Sequence, residues 1–271
     1  MNFKDLPLGK KINYPRNYDS SLLVAIDREE ARNRAGINLN SSSFYGLDSW
    51  TAYELSWLNS HGLPENGILY SSYPSSSKNF IESKSFKLYL NSLNNKKIKK
   101  KNDLYELLRK DLGRCVSEEV EIEIVNTPRS FGFDCISIDS LSLVSIENKE
   151  EESKENKLKT SSEKVNEELS CSLFRSLCPA TGQPDWATIR IKYAGNLIEH
   201  ESLLSYLISY RDYQAFHEDC VESIFQDLVV SCKPTDLTVQ ANYLRRGGIE
   251  INPVRSTNKD FNREILRESR Q

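Results

Sequence analysis

The 271-residue chain contains no uninterrupted apolar run of the roughly 18 residues that a membrane-spanning helix needs. Its opening residues, Met1-Asn2-Phe3-Lys4-Asp5, lack the basic, apolar, small-residue order of a secretory signal. A soluble, untargeted, cytoplasmic protein is therefore expected, with no membrane partner. Histidine is scarce: only His61, His200 and His217 occur. There is no Cys-x-x-Cys pair and no His-x-x-x-His spacing, so a structural zinc site is not expected. Neither Gly-x-Gly-x-x-Gly nor the phosphate-binding Gly-x-x-x-x-Gly-Lys is present, and neither a Rossmann nor a P-loop site is signalled. Six cysteines without an export signal argue against a disulfide framework and leave free thiols.

An excess of either charge is also missing. The chain carries 36 Lys+Arg against 39 Asp+Glu, a formal net charge of -3. All of that imbalance is local. Glu147–Glu168 holds 8 acidic and 5 basic residues with only Leu158 and Val165 as aliphatics, which leaves 31 of each sign elsewhere. Such a segment buries too little apolar surface to offset its ordering entropy. It reads as a charged flexible linker, 147–168, between an N-terminal module, 1–146, and a C-terminal one, 169–271. Charge balance outside the linker gives no electrostatic footprint for nucleic acid, and the run Lys96–Lys101 reads as a solvated connection.

The two modules show up as an internal repeat. Ile81-Glu-Ser-Lys-Ser-Phe-Lys-Leu-Tyr-Leu-Asn-Ser92 and Ile198-Glu-His-Glu-Ser-Leu-Leu-Ser-Tyr-Leu-Ile-Ser209 agree at six of twelve positions, 117 residues apart. At the same offset Leu104, Leu107, Leu108 and Leu112 match Val221, Ile224, Phe225 and Val229, a helical stripe, and Val120, Ile122 and Ile124 match Leu237, Val239 and Ala241, a strand. Each half reads strand, connection, helix, strand, with the Ile81 and Ile198 segments as the first strand. Upstream, Gly46–Trp57 matches Gly182–Tyr193 at an offset of 136. That difference predicts about 19 extra residues in the first copy, within the Gly/Pro/Ser-rich stretch 61–78. Alternation in Leu141–Ile146 predicts a further strand.

Chemistry-bearing residues fall in the diverged positions. Cys178 lies in Leu177-Cys-Pro-Ala-Thr-Gly-Gln-Pro-Asp-Trp186, a turn-rich loop where a thiol is expected to be partly exposed, with Asp185 seven residues on. Nucleophilic sulfur needs a proton acceptor and access, and this loop offers both. The same spacing also fits an inert cysteine with Asp185 making an Asx turn. Cys115, Cys220 and Cys232 fall on helix stripes and read as core. His217-Glu218 opens the second module's helix, where a carboxylate can accept from the N1–H and 2-amino edge of a guanine-type base or merely oppose the helix dipole. Arg245-Arg246-Gly247-Gly248 follows a strand and can hold a phosphate, or be a plain basic turn.

Taken together, Glu82-Ser83-Lys84-Ser85-Phe86-Lys87, the loop Cys178 to Trp186, Phe216-His217-Glu218 and Arg245–Gly248 resemble the 7-cyano-7-deazaguanine reductases of queuosine biosynthesis in their long, two-module form. The resemblance covers nearly the whole chain except 147–168. It implies an α+β fold of two tandem tunnelling-fold modules, antiparallel sheets with helices packed on one face. It implies a Cys178 thiolate that adds to the substrate nitrile as a covalent thioimide, Asp185 as the proton donor and His217 as an aid to proton transfer. Ile81, Glu82, Ser83, His217 and Glu218 would bind the deazaguanine. Ser83, Lys84, Arg246 and Gly247 would bind NADPH, two molecules of which are consumed per turnover without a metal, and one complete site would draw on both modules. A homodimer is implied as well. A cyclohydrolase-like or pterin-processing tunnelling-fold enzyme would instead need zinc ligands that the histidine count does not favour, and an RNA-binding module would rely on the lysine run.

Overall fold

A computed structural model describes residues 14–39, 43–129, 135–141, 158–262, 267–268 and 271. In chain order the elements are β1 (Ala25–Asp27), α1 (Arg28–Ala35), β2 (Tyr45–Leu58), β3 (Pro64–Pro74), β4 (Asn79–Ile81), α2 (Ser83–Ser92), α3 (Lys101–Val116), β5 (Glu121–Val125), β6 (Ile136–Ser137), β7 (Thr160–Leu177), β8 (Pro184–Ile198), α4 (His200–Ile208), α5 (His217–Cys232), β9 (Asp236–Tyr243) and β10 (Ile249–Ser256). Two compact units result. The first comprises Met1–Ala31, Leu47–Ser130 and Arg245–Ile251; the second comprises Arg32–Gly46, Phe131–Leu244 and Asn252–Gln271.

In the first unit the antiparallel order is β5-β3-β2, and β1 pairs with β4 as a separate ribbon. The middle of β3, residues 67–71, is buried continuously along with Tyr73, and α2 packs Phe86 edge-on against Trp50 at 5.4 Å. Under the ribbon sits a charge removed from water. Arg28 donates to the Ser77 carbonyl and hydroxyl at 3.0 and 2.9 Å, pairs with Asp48 at 2.8 Å and lies over the Phe80 ring.

In the second unit β10, β9, β8 and β7 are antiparallel, with β6 parallel at the edge of β7. The period of two sorts β8 and β9 cleanly. Ile189, Ile191, Tyr193, Leu237, Val239, Ala241 and Tyr243 are buried on one face, and α5 supplies Cys220, Val221, Ile224, Phe225 and Leu228 to the core. Arg190, Lys192, Thr238 and Gln240 take the other face. The expected α+β architecture of antiparallel sheets with helices is observed.

The 117-residue repeat is real in three dimensions: α2 answers to α4, α3 to α5 and β5 to β9. Both long helices even end alike, on a left-handed residue, Ser117 and Lys233. Three expectations need correction. Ser83–Ser92 and His200–Ile208 are helices, not strands, because Ser85, Phe86, Tyr89 and Leu90 bury one helical face rather than alternating. The stretch 61–78 is no insertion but contains β3, which fills the centre of the first unit's sheet between β2 and β5. By order in the hairpins β8 therefore answers to β3, and the likeness of Gly46–Trp57 to Gly182–Tyr193 reflects only the aromatic alternation any half-buried strand can show. Finally, Thr160–Glu168 is not tether but the first half of β7, paired along β8. Backbone pairing and the Glu167 and Glu168 bonds to Tyr193 and Arg190 order a segment whose composition alone would not. Of the expected strand at 141–146 only Leu141 is described, outside any strand, and residues 142–157, with the rest of the linker, lie outside the described residues.

Removing one partner of a fully buried ion pair strands the other. Arg28→Ala should destabilise the protein by about 3–5 kcal/mol, read as a shift of the urea midpoint at unchanged slope; a loss under about 1 kcal/mol would show that Asp48 is compensated without it.

Candidate active site

The second unit builds its site at one end of the β7–β8 hairpin. β7 ends at Leu177 and β8 begins at Pro184, so Cys178–Gln183 is the connecting loop. Two backbone bonds close it: the Cys178 N–H donates to the Gln183 carbonyl at 2.8 Å and the Gly182 N–H to the Cys178 carbonyl at 2.9 Å. Gly182 turns the chain with φ +68°, a left-handed conformation. Cys178 is consequently buried, 7% exposed, which corrects the expectation of a partly exposed thiol. A loop folded on its own first residue shields that residue, whatever its turn composition.

Leu177 also fixes the entry to α5. Its N–H donates to the Tyr213 carbonyl at 2.8 Å, and its carbonyl accepts from Ala215 at 3.1 Å. Two residues later α5 starts, so His217 and Glu218 are delivered to the same end of the sheet as Cys178 and Asp185. His217 Nε2 lies 3.5 Å from Asp185 Oδ2, and its ring stands edge-on to Tyr243, centroids 4.2 Å apart. Asp185 and Glu218 are 5% and 2% exposed. One turn beyond Glu218, Glu222 takes Arg32 at 2.7 Å and Arg255 at 2.8 Å, with the Phe44 ring beneath both guanidiniums. That buried cluster pins the helix that presents the site, and sequence periodicity shows none of it. Chemically, this end of the second unit offers a thiol, an acid–imidazole pair and a buried carboxylate, which suits nucleophilic addition with local proton delivery.

The first unit builds a different surface. Ile81 ends β4, its N–H donating to the Tyr73 hydroxyl at 3.2 Å. Glu82 is the N-cap of α2, accepting from the Lys84 and Ser85 N–H groups at 2.7 Å each. At 1% exposure, burial pushes its carboxyl upward against those stabilising bonds. The cap sets Ser83 and Lys84 on the first turn and Lys87 one turn on. β9 ends at Tyr243, and the chain reverses through Gly247 and Gly248, at φ +61° and +83°, before β10. Two successive positive φ values are what a type I′ turn requires, which explains the paired glycines. A Cβ on Gly247 would fall 2.1 Å from Lys87 Nζ, so the ammonium rests where only a bare Cα leaves room. Arg245 stacks on Tyr53, 4.6 Å to the ring centroid, and the Tyr53 hydroxyl donates to Glu250 at 2.9 Å. Ser83, Lys84, Lys87, Arg245 and Arg246 form a donor set suited to a phosphate-bearing ligand, with Gly247 as the close approach.

The second unit's counterpart has been closed off. Glu199 makes no side-chain cap, and His200, at the place of Ser83, hydrogen-bonds Glu167, which also accepts from Tyr193. Glu201 and Leu204 replace Lys84 and Lys87. Among the described residues no group of three or more His, Cys, Asp or Glu could hold a metal ion.

Burial pushes the Cys115 thiol up to about 11 and those of Cys171 and Cys232 up to about 12. A raised thiol is neutral at every lower pH, so at pH 8 at most roughly one in a thousand of these groups is thiolate. Iodoacetamide at pH 8 should leave all three unmodified in the folded protein, by peptide mapping. Alkylation of any of them as fast as in urea would contradict their core placement.

Residues 14–124 match the family described as nitrile reductase, 7-cyano-7-deazaguanine-reductase N-term, and residues 184–262 the family described as QueF-like protein. The NADPH-dependent 7-cyano-7-deazaguanine reductase of Coxiella burnetii (strain CbuK_Q154) is 44% identical over 97% of this chain and 96% of its own length. That of Desulfotalea psychrophila is 44% identical over 94% of each, and that of Bordetella pertussis 41% identical over 100% of each. With identity at this level sustained along both units, the chain belongs to the family of NADPH-dependent 7-cyano-7-deazaguanine reductases, a family of oxidoreductases.

Proposed function

We propose that this protein reduces the nitrile of 7-cyano-7-deazaguanine to the primary amine of 7-aminomethyl-7-deazaguanine, at the expense of NADPH, in the cytoplasmic synthesis of queuosine for tRNA. Beside the family membership, the observation that carries the reading is the convergence of Cys178, Asp185, His217 and Glu218 at one end of the β7–β8 hairpin. No helix among the described residues is long and apolar enough to cross a membrane.

A nitrile carbon accepts hydride poorly until it carries a heteroatom and its nitrogen a proton. Cys178 Sγ adds to that carbon, a C–S bond forms, one C≡N π bond opens onto nitrogen, and the nitrogen takes a proton. Asp185 moves that proton, net from thiol to nitrogen, and His217, 3.5 Å from its carboxylate, assists. The product is a neutral thioimide on Cys178. Burial of Cys178 and Asp185 keeps water from hydrolysing it. Glu218 takes the N1–H and 2-amino edge of the base, while each Glu82 oxygen also accepts one bond from the N-terminus of α2. Ile81, Glu82 and Ser83 complete the substrate contacts, with Glu82 holding the turn that presents Ser83. Ser83, Lys84, Arg246 and Gly247 hold NADPH, with Lys84 and Arg246 on its 2′-phosphate and Lys87 beside them. NADPH supplies hydride, and taking a nitrile to a primary amine consumes two equivalents. A homodimer is proposed as the working form, because among the described residues no strand pairs with the outer edge of β5 in the first unit's sheet.

Nicotinamide absorbance should fall when protein, 7-cyano-7-deazaguanine and NADPH are mixed. Cys178→Ala should abolish turnover and the covalent adduct seen by intact mass, and Asp185→Asn should slow both at least a hundredfold. Turnover unimpaired in Cys178→Ala would remove the covalent mechanism. Gly247→Ala, which evicts the Lys87 ammonium, should raise KM for NADPH roughly tenfold with kcat within about threefold; an unchanged KM would place the cofactor elsewhere.

A further inference from the structure

Gln271 lies almost wholly buried, 4% exposed, beside Asn242 and Asn252 on the sheet face away from α5. A carboxamide has two acceptor positions and two N–H groups, and all four are used. Oε1 accepts from Asn242 Nδ2 at 3.1 Å and from the Glu268 N–H at 2.8 Å; Nε2 donates to the Tyr243 carbonyl at 3.0 Å and to Asn252 Oδ1 at 2.7 Å. The backbone is held too, its N–H donating to the Glu268 carbonyl at 3.1 Å and its carbonyl accepting from Arg267 at 2.5 Å. Pairing between β9 and β10 runs from Thr238–Ser256 to Gln240–Val254. Beyond it, Gln271 links the two strands through side-chain bonds.

The residue so fastened is Tyr243. On its other side β8 holds it through the Ala187 register, and the next N–H, of Leu244, donates to the Trp186 carbonyl at 3.0 Å. Both edges of the strand end are anchored, and the Tyr243 ring is buried beside Phe174; against it stands the His217 imidazole, 64° from coplanar.

We propose that Gln271 is a positioning residue for His217, acting through Tyr243. Its Nε2 bond to the Tyr243 carbonyl sets the ring that His217 rests on, and thereby the reach of His217 Nε2 to Asp185. The catalytic consequence rests on the proposed function; the mechanical one does not. A displacement of about 1 Å at such a pair can cost up to two orders of magnitude in rate.

Gln271→Glu keeps the shape but turns an acceptor toward the Tyr243 carbonyl and Asn252 Oδ1; Gln271→Ala removes all four bonds. With three histidines in the chain, the His217 ring protons are assigned by comparison with His217→Gln, and they sense the ring current of Tyr243. Both Gln271 variants, in the full chain, should move the His217 resonances toward those of Tyr243→Leu and leave His61 and His200 in place. In the coupled assay kcat should fall roughly tenfold, with KM for the cyano substrate within about twofold, and Gln271→Ala combined with Tyr243→Leu should be no worse than the poorer single variant. Should both variants fail to fold, Gln271→Asn, one methylene shorter, carries the same readouts. Unmoved His217 resonances, or a lowered melting temperature with kcat intact, would overturn the proposal. Full activity in His217→Gln would instead count against His217 in the reaction and leave the resonance test of Gln271 standing.

Discussion

Two main-chain hydrogen bonds through Leu177 organise the chemistry of the second unit. They fasten the last residue of β7 to the strand-like lead into α5, and each neighbour of Leu177 inherits a position from them. Cys178 follows it in the chain, Asp185 flanks it across the hairpin beside Ser176, and His217 comes two residues after Ala215. Main-chain bonds suit this task because they do not depend on side-chain identity. The side chains at this end of the sheet are then left for chemistry, and the buried Arg32–Glu222–Arg255 cluster holds the remaining freedom of α5, its rotation and slide.

The repeat shows how one backbone plan is divided between two tasks. In both units a tyrosine hydroxyl takes the N–H of the isoleucine before the first helix, Tyr73 for Ile81 and Tyr193 for Ile198. After that shared junction the units part. Glu82 caps its helix and leaves cations on the first turns, whereas His200 folds back onto Glu167, and Glu201 puts a negative charge where Lys84 puts a positive one. A phosphate would be attracted to the first arrangement and repelled from the second. Between the long α3 and α5 helices little is identical, but the apolar stripe is kept, Leu104, Leu108 and Cys115 answering to Val221, Phe225 and Cys232, because those faces are answerable to a core.

Some of this was legible along the chain. The helical stripes of α3 and α5, the strands β5 and β9, the start of α5 at His217, the core cysteines and the glycine turn after β9 all follow from local periodicity or turn chemistry. The α2 and α4 helices are hard to tell from strands along the chain because both are short and part of each apolar set, Phe86, Leu88 and Leu90 or Leu204, Tyr206 and Ile208, also fits a period of two. β3 was hidden by Gly, Pro and Ser that mark loops in most settings, yet here its buried Ile68, Leu69 and Tyr70 sit between two partner strands. Tyr243 and Gln271 carried no signal as site residues, because their importance lies in what each touches across the fold.

By itself, then, the sequence determined the repeat, the residue types available for thiol addition and phosphate binding, and the family resemblance, since these depend on the identity and spacing of neighbours in the chain. Tertiary structure alone decided that Cys178 is buried, that Asp185 meets His217, that Glu82 serves α2 as a cap, and that Thr160–Glu168 is strand. The meeting of Asp185 with His217 and the pairing of Thr160–Glu168 along β8 join residues far apart in the chain, and the short-range bonds that fold the loop on Cys178 and make Glu82 a cap form only where the surrounding fold holds those backbones, so no local pattern encodes which partner a side chain will find.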